Sequence, residues 1–236
     1  MRRVLIGLLG VMILVGLIGA GLVLWYMDSF GSDSNNQIRR WFVLPDSRPE
    51  LTTIGGVACE GAPFILPSEG FIGLLWSDPA RPYNPMRRHT GIDIFGDGAP
   101  GTVPNYAAYD GYLTRLSDWK STVIIRHDDP LQAGRTIWTY YTHMANDNGS
   151  QSFIADAFPP GTNNVWVEQG TLLGYQGTFS GTGPPIGMHL HFSIVKSDAD
   201  GLFLNEAILE NTLDPSLYLG LPLDINENPD RPIRCP

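Results

Sequence analysis

Basic residues are scarce in this chain. Only 15 Lys and Arg stand against 24 Asp and Glu, for a formal charge of −9, so electrostatics gives no footing for a nucleic-acid polyanion and no such partner is expected. Sustained helical periodicity is also missing: no amphipathic run of useful length precedes Leu202, which argues against a helical architecture. There is no internal repeat. Cysteine is nearly absent, with Cys59 and Cys235 alone. One long segment lacks charge altogether: Val4 to Met27 holds neither an acidic or basic side chain nor a proline.

What is present points to a turn-rich β protein. The 236 residues are 43% hydrophobic, enough for one good-sized domain with a real core. The 27 Gly and 19 Pro are scattered between short β-branched and aromatic runs. From about Gly61 those runs are strand-sized: FILP, GFIGLLW, YAAYDGYLTRL, STVIIRHD, TIWTYYTHM, NVWVEQGTLLGYQG and MHLHFSIV. STVIIR and TIWTYYTH, joined by a link containing DPLQAG, form a natural hairpin. LFLNEAILENTL, after Gly201, has apolar spacing compatible with a short helix, and a Pro-rich tail follows it.

The uncharged segment is long enough to span a membrane. At 1.5 Å per residue it makes a helix of about 36 Å, against a hydrocarbon core of about 30 Å. Arg2 and Arg3 precede it and Asp28 follows it, so the positive-inside rule puts the N-terminus in the cytoplasm and the rest outside, with Trp25 and Tyr26 at the outer interface. The competing reading, a signal peptide cleaved near Gly19-Ala20-Gly21, would leave a mature chain starting on apolar residues, and a retained anchor is expected. The polar residues 28–62 then read as a stalk. Both cysteines fall on the exported, oxidising side, so a bridge between them is expected; it would close 235 − 59 = 176 residue steps, worth at most about 5 kcal/mol in the chain-entropy account.

The five histidines are placed informatively. In an extended GMHLHFSI, His189 and His191 stand on one face. Such a pair can bind metal, move protons or divide the two tasks; it can also be purely structural. RHTGIDIFG offers His89 and Asp93, which come together if the chain turns at Gly91, and TYYTHM presents His143 near a strand end. A catalytic zinc takes three protein ligands and leaves a position for water. His89, Asp93 and His191 can supply that set, leaving His143 and His189 free to act on the water. His127, in VIIRHDDP, is read as a structural histidine. Residues 145–166 form a long loop, read equally as a groove wall or as a surface excursion, while Trp119 and Trp138 are read as packing residues.

HTGID, YTH and HLHF occur in that order, with DG…V and G…LG..G between them. In these motifs the chain resembles the lysostaphin/LytM-type zinc endopeptidases, over roughly Pro63 to Val195. The resemblance implies an antiparallel β-sheet groove with one Zn2+ on its floor, His89, Asp93 and His191 as metal ligands, and His143 and His189 as the catalytic non-ligand histidines. It implies hydrolysis of peptide bonds in bacterial peptidoglycan, cross-bridge or stem. The expected organisation is a stub and anchor at 1–27, a stalk at 28–62, the peptidase domain at 63–197 and a C-terminal extension at 198–236. The alternatives are a non-catalytic wall-binding module or an activator of wall amidases, and an amidase or carboxypeptidase of the same metal architecture.

Overall fold

A computed structural model describes residues 33–235 and, before them, Gly16, Ile18 and Gly19. The expected span at Val4–Met27 otherwise lies outside the described residues; among those described, no helix is long and apolar enough to cross a membrane.

The domain is mainly antiparallel β. Its strands are β1 (Phe71–Leu74), β2 (Ile92–Phe95), β3 (Pro104–Tyr106), β4 (Gly111–Thr114), β5 (Val123–Asp128), β6 (Thr136–Thr142), β7 (Val165–Val167), β8 (Leu172–Tyr175), β9 (Leu190–Lys196) and β10 (Thr212–Leu213). Eight of them form one sheet in the order β1-β2-β9-β6-β5-β4-β7, with β10 pairing the end of β9 that β2 leaves free; β3 and β8 make a separate ribbon. The expected hairpin is β5–β6, paired from Val123↔Tyr141 to Asp128↔Thr136.

Strand β9 organises the sheet because both its faces are covered. Phe192 and Ile194 point into the main core with Ile92, Ile94, Ile125, Ile137 and Tyr141, and full burial of such side chains contributes roughly 1.5–3 kcal/mol each. Val195, on the other face, packs with Ile124 and Trp138 in a smaller cluster that Trp119 and Phe203 border. His191 and Ser193 share that second face by the two-residue alternation of a strand. His127 lies inside β5, donating from Nδ1 to the Asp110 carbonyl at 2.6 Å and accepting at Nε2 from Thr139 Oγ1 at 2.7 Å. It is a satisfied interior histidine, and burial pushes its pKa down to about 4.

Two sequence expectations are corrected. Residues 33–51 do not form a free stalk: helix α1 (Asp33–Val43) and the short helix α2 (Arg48–Leu51) pack on β1 and β2, burying Trp41 and Leu51 against Phe71 and Phe95. The stretch LFLNEAILENTL is not a helix. The Asn205 side chain accepts from Ala207 N in a tight turn, Leu209–Asn211 is a single 3-10 turn, and Thr212–Leu213 is drawn into the sheet as β10. Local side-chain and sheet hydrogen bonds thus outcompete a weak helical period. The helix of the C-terminal segment is α3, Ser216–Leu219. The loop 145–166, expected as a groove wall or a surface excursion, is tied to the body: Ala145 bridges Ser152, Ile154 bridges Gly174, Asp147 accepts from Thr178, and Val165 and Trp166 begin β7. Cys59 and Cys235 are bridged, tying the tail to the start of the domain.

Candidate metal and acid–base site

Register builds the site. Asp93 in β2 lies directly across from His191 in β9, and His191 lies across from Thr142 in β6. Adjacent β-partners project on the same side, so Asp93 and His191 meet without any loop geometry. Between His89 and Asp93 the chain must pass tightly over β9. Gly91 allows this, since a Cβ there would sit 2.2 Å from the Phe192 carbonyl oxygen. His143, one residue past Thr142, belongs on the opposite face by alternation. A left-handed backbone at φ 74° turns it back, a conformation that costs a β-branched or bulky residue of order 1–3 kcal/mol and that clusters at functional positions. His143 and His189 then sit with ring centroids 4.6 Å apart.

Each imidazole is tied on one nitrogen, which fixes its free one. His89 Nδ1 donates to the Leu75 carbonyl at 2.9 Å. His191 Nε2 donates to Glu206 Oε1 at 2.8 Å. That leaves His89 Nε2, His191 Nδ1 and Asp93 Oδ1 as three acceptor atoms separated by 3.0, 3.1 and 2.9 Å. Three lone pairs facing one another in a buried site repel unless a cation, a proton or a metal ion, lies between them. A tetrahedral zinc ion with bonds of about 2.0–2.1 Å holds its ligand atoms about 3.3 Å apart, so the set fits that ion after an expansion of a few tenths of an ångström. His89, Asp93 and His191 form a possible metal-binding group on these distances.

The electrostatics carry the same demand for positive charge. Burial opposes protonation of His191, yet the Glu206 and Asp93 carboxylates outweigh it and raise its pKa to about 10 when no metal is counted. Burial also raises Asp93, but the surrounding imidazoles hold it well below the usual carboxylate range. His143 behaves oppositely: burial first, then the neighbouring His189 and His191, push it down to about 3. His189 is likewise lowered, chiefly by burial. Both are neutral at pH 7. His143 Nδ1 donates to the Phe179 carbonyl at 2.7 Å and His189 Nδ1 to the Gly187 carbonyl at 2.7 Å, so each presents an unprotonated Nε2, that of His189 3.6 Å from Asp93 Oδ1. A hollow beside His143 is lined by Thr122, Tyr140, Phe179 and Ser180 among others.

Two participants escaped the sequence reading. Glu206 is a mostly buried carboxylate on which His191, Ser193 and Thr90 all converge. Burial would raise its pKa, but His191 and these donors bring it down to about 2. Nothing in the sequence marks it, because it follows His191 by 15 residues through an irregular segment. The Tyr83 ring lies tilted against His89, centroids 4.9 Å apart, and burial followed by the Asp93 charge raises its hydroxyl pKa.

No protein-family model and no curated protein matches the chain. Solved structures do. The antimicrobial peptidase lysostaphin from Staphylococcus simulans matches at 21% identity and a TM-score of 0.40, over 63% of this chain and 48% of that one. Its catalytic domain alone matches at 19% identity and a TM-score of 0.36, over 56% of this chain and 80% of that one. The catalytic domain of the prophage-encoded M23 protein EnpA from Enterococcus faecalis matches at 24% identity and a TM-score of 0.31, over 51% of this chain and 78% of that one. The match spans about half the length of whole lysostaphin. These are peptidases of the kind that the motifs HTGID, YTH and HLHF resemble.

Proposed function

We propose that this chain is a zinc-dependent peptidase acting on the peptides of bacterial peptidoglycan. The observation that carries the reading is the division of the five polar groups. His89, Asp93 and His191 turn acceptor atoms toward one point, while His143 and His189, neutral and oriented by backbone carbonyls, stand beside it without entering the cluster.

Zinc held by the three ligands would supply Lewis acidity, bringing the pKa of water toward about 7 and polarising a scissile carbonyl. The chain's own residues do the rest. A neutral Nε2 of His143 or His189 accepts the proton of the attacking water, and the resulting imidazolium is steadied by the carbonyl that its Nδ1–H already contacts. The imidazolium so formed then gives that proton to the leaving amine, while the other imidazole, within the same 4.6 Å ring contact, donates to the developing oxyanion only in its protonated form.

The substrate class is supported by the motifs shared with lysostaphin/LytM-type peptidases and by the membrane-span pattern of Val4–Met27, which would tether the domain on the wall side. Digestion of purified wall fragments with the zinc-loaded chain, followed by mass spectrometry of the new termini, tests the proposal. New amino and carboxyl termini within cross-bridge or stem peptides support it. Intact peptides in the presence of bound zinc overturn it and favour a binding or activating module.

A further inference from the structure

Helix α1 reaches the acid–base histidine through one aromatic ring. The Phe42 ring packs edge-on against Phe95, centroids 5.7 Å apart, and Phe95 in turn lies 4.9 Å from the His189 ring. On its other side Phe42 presses on Gly187, where an added Cβ would fall 2.5 Å from the ring. The Gly187 carbonyl is the group that holds His189 Nδ1. Phe42 therefore adjoins both neighbours that bear on His189: the Phe95 ring and the residue whose carbonyl fixes its tautomer.

The helix is well placed to act as a support. Trp41 is 1% exposed and stacks on Phe71 at 5.7 Å; Arg48 donates to the Trp41 carbonyl at 3.0 Å and lies over its ring. At the other end buried Ser34 bonds to Asp78 and accepts from Arg231, which also donates to the carbonyls of Ile72 and Gly73. These contacts dock the helix. Phe42 adds little to that docking, being 45% exposed, yet it is the helix residue that meets Phe95 and Gly187.

We propose that Phe42 is a positioning residue for His189, which makes the segment before the domain part of the catalytic unit. The proposal rests on the reading of His189 as an acid–base group. Glycine is the most mobile residue for a supporting carbonyl, and the bulk of Phe42 limits where Gly187 can go. Without that ring the Nδ1–H bond loosens and Nε2 loses its aim.

The test uses Phe42→Ala, Gly187→Ala and the double variant in the zinc-loaded full chain. Three readouts are taken: zinc content, kcat and KM on a wall peptide, and the imidazole nitrogen resonances of His189. Phe42→Ala should lower kcat about tenfold with KM nearly unchanged, as expected for a misaimed catalytic group, keep its zinc, and weaken the His189 Nδ1–H signal. Gly187→Ala should do the same from the opposite side, by driving a methyl into the ring. In the double variant that methyl occupies space the ring has left, so kcat and the His189 signal should recover several-fold relative to each single change. Wild-type kcat and an unchanged His189 signal in both single variants, or losses that simply multiply in the double variant, would overturn the proposal. Should Phe42→Ala fail to fold, Gly187→Ala decides alone. A wild-type chain inactive on every wall peptide would defeat the peptidase reading, while the resonance arm would still report whether Phe42 sets His189.

Discussion

Glu206 Oε1 lies 2.8 Å from His191 Nε2 while Asp93 Oδ1 lies 2.9 Å from Nδ1 of the same ring. The imidazole is thus held between two carboxylates, one beside the point where the lone pairs converge and one behind it. A carboxylate behind a metal-bound histidine fixes the tautomer and raises the basicity of the ligating nitrogen. Glu206→Gln should therefore weaken zinc affinity about 10–100-fold while the fold persists. Chelator competition measures this. An affinity equal to that of the wild type would show that Glu206 only fills space.

The Cys59–Cys235 bridge closes a separation of 176 residues. Replacing both cysteines by serine should lower unfolding free energy by up to about 5 kcal/mol without changing zinc content, because neither cysteine belongs to the metal-binding group. Denaturant titration of the two forms checks the first part and metal analysis the second. Recovery of both residues as free thiols in non-reducing peptide maps of the native protein would contradict the bridge.

His127 sets an acid limit on stability that is independent of the metal. Its folded pKa is about 4, below an unfolded value of about 6.5. The neutral form is the folded one, so its contribution is complete above about pH 6.5 and is lost as pH falls toward 4, where the unfolded chain binds a proton that the folded one refuses. His127→Gln should remove up to one proton's worth of slope, about 1.4 kcal/mol per pH unit, from the stability profile between those limits. Parallel slopes for wild type and variant across that range would show that His127 does not titrate as described.

The parts of this structure legible in the sequence are those governed by alternation. STVIIR and TIWTYYTH announced β5 and β6 because β-branched and aromatic residues fit a pleated surface and little else. The spacing of HLHF put two imidazoles on one face before any partner strand was known. Glu206 was illegible for the opposite reason: its position depends on an irregular return of the chain that no period encodes. Helix α1 was hidden because a helix lying on a sheet at Ser34, Ile38 and Trp41 needs few apolar residues, and DSNNQIRRWFV shows mostly its solvent side. LFLNEAILENTL misled in reverse, since its apolar spacing suits a helix that Asn205 and the pairing of Thr212 with Val195 do not permit.

The central claim is that the two imidazoles of HLHF have different tasks, and zinc content measured across four single variants tests it most directly. His191→Ala and Asp93→Ala remove one of three ligand atoms and should purify without zinc and without activity. His143→Ala and His189→Ala leave His89, Asp93 and His191 in place and should retain near-stoichiometric zinc while kcat falls at least about a hundredfold, the scale of lost proton transfer or oxyanion stabilisation. If His189→Ala came out as metal-free as His191→Ala, both imidazoles would be ligands and the division of labour between them would be contradicted.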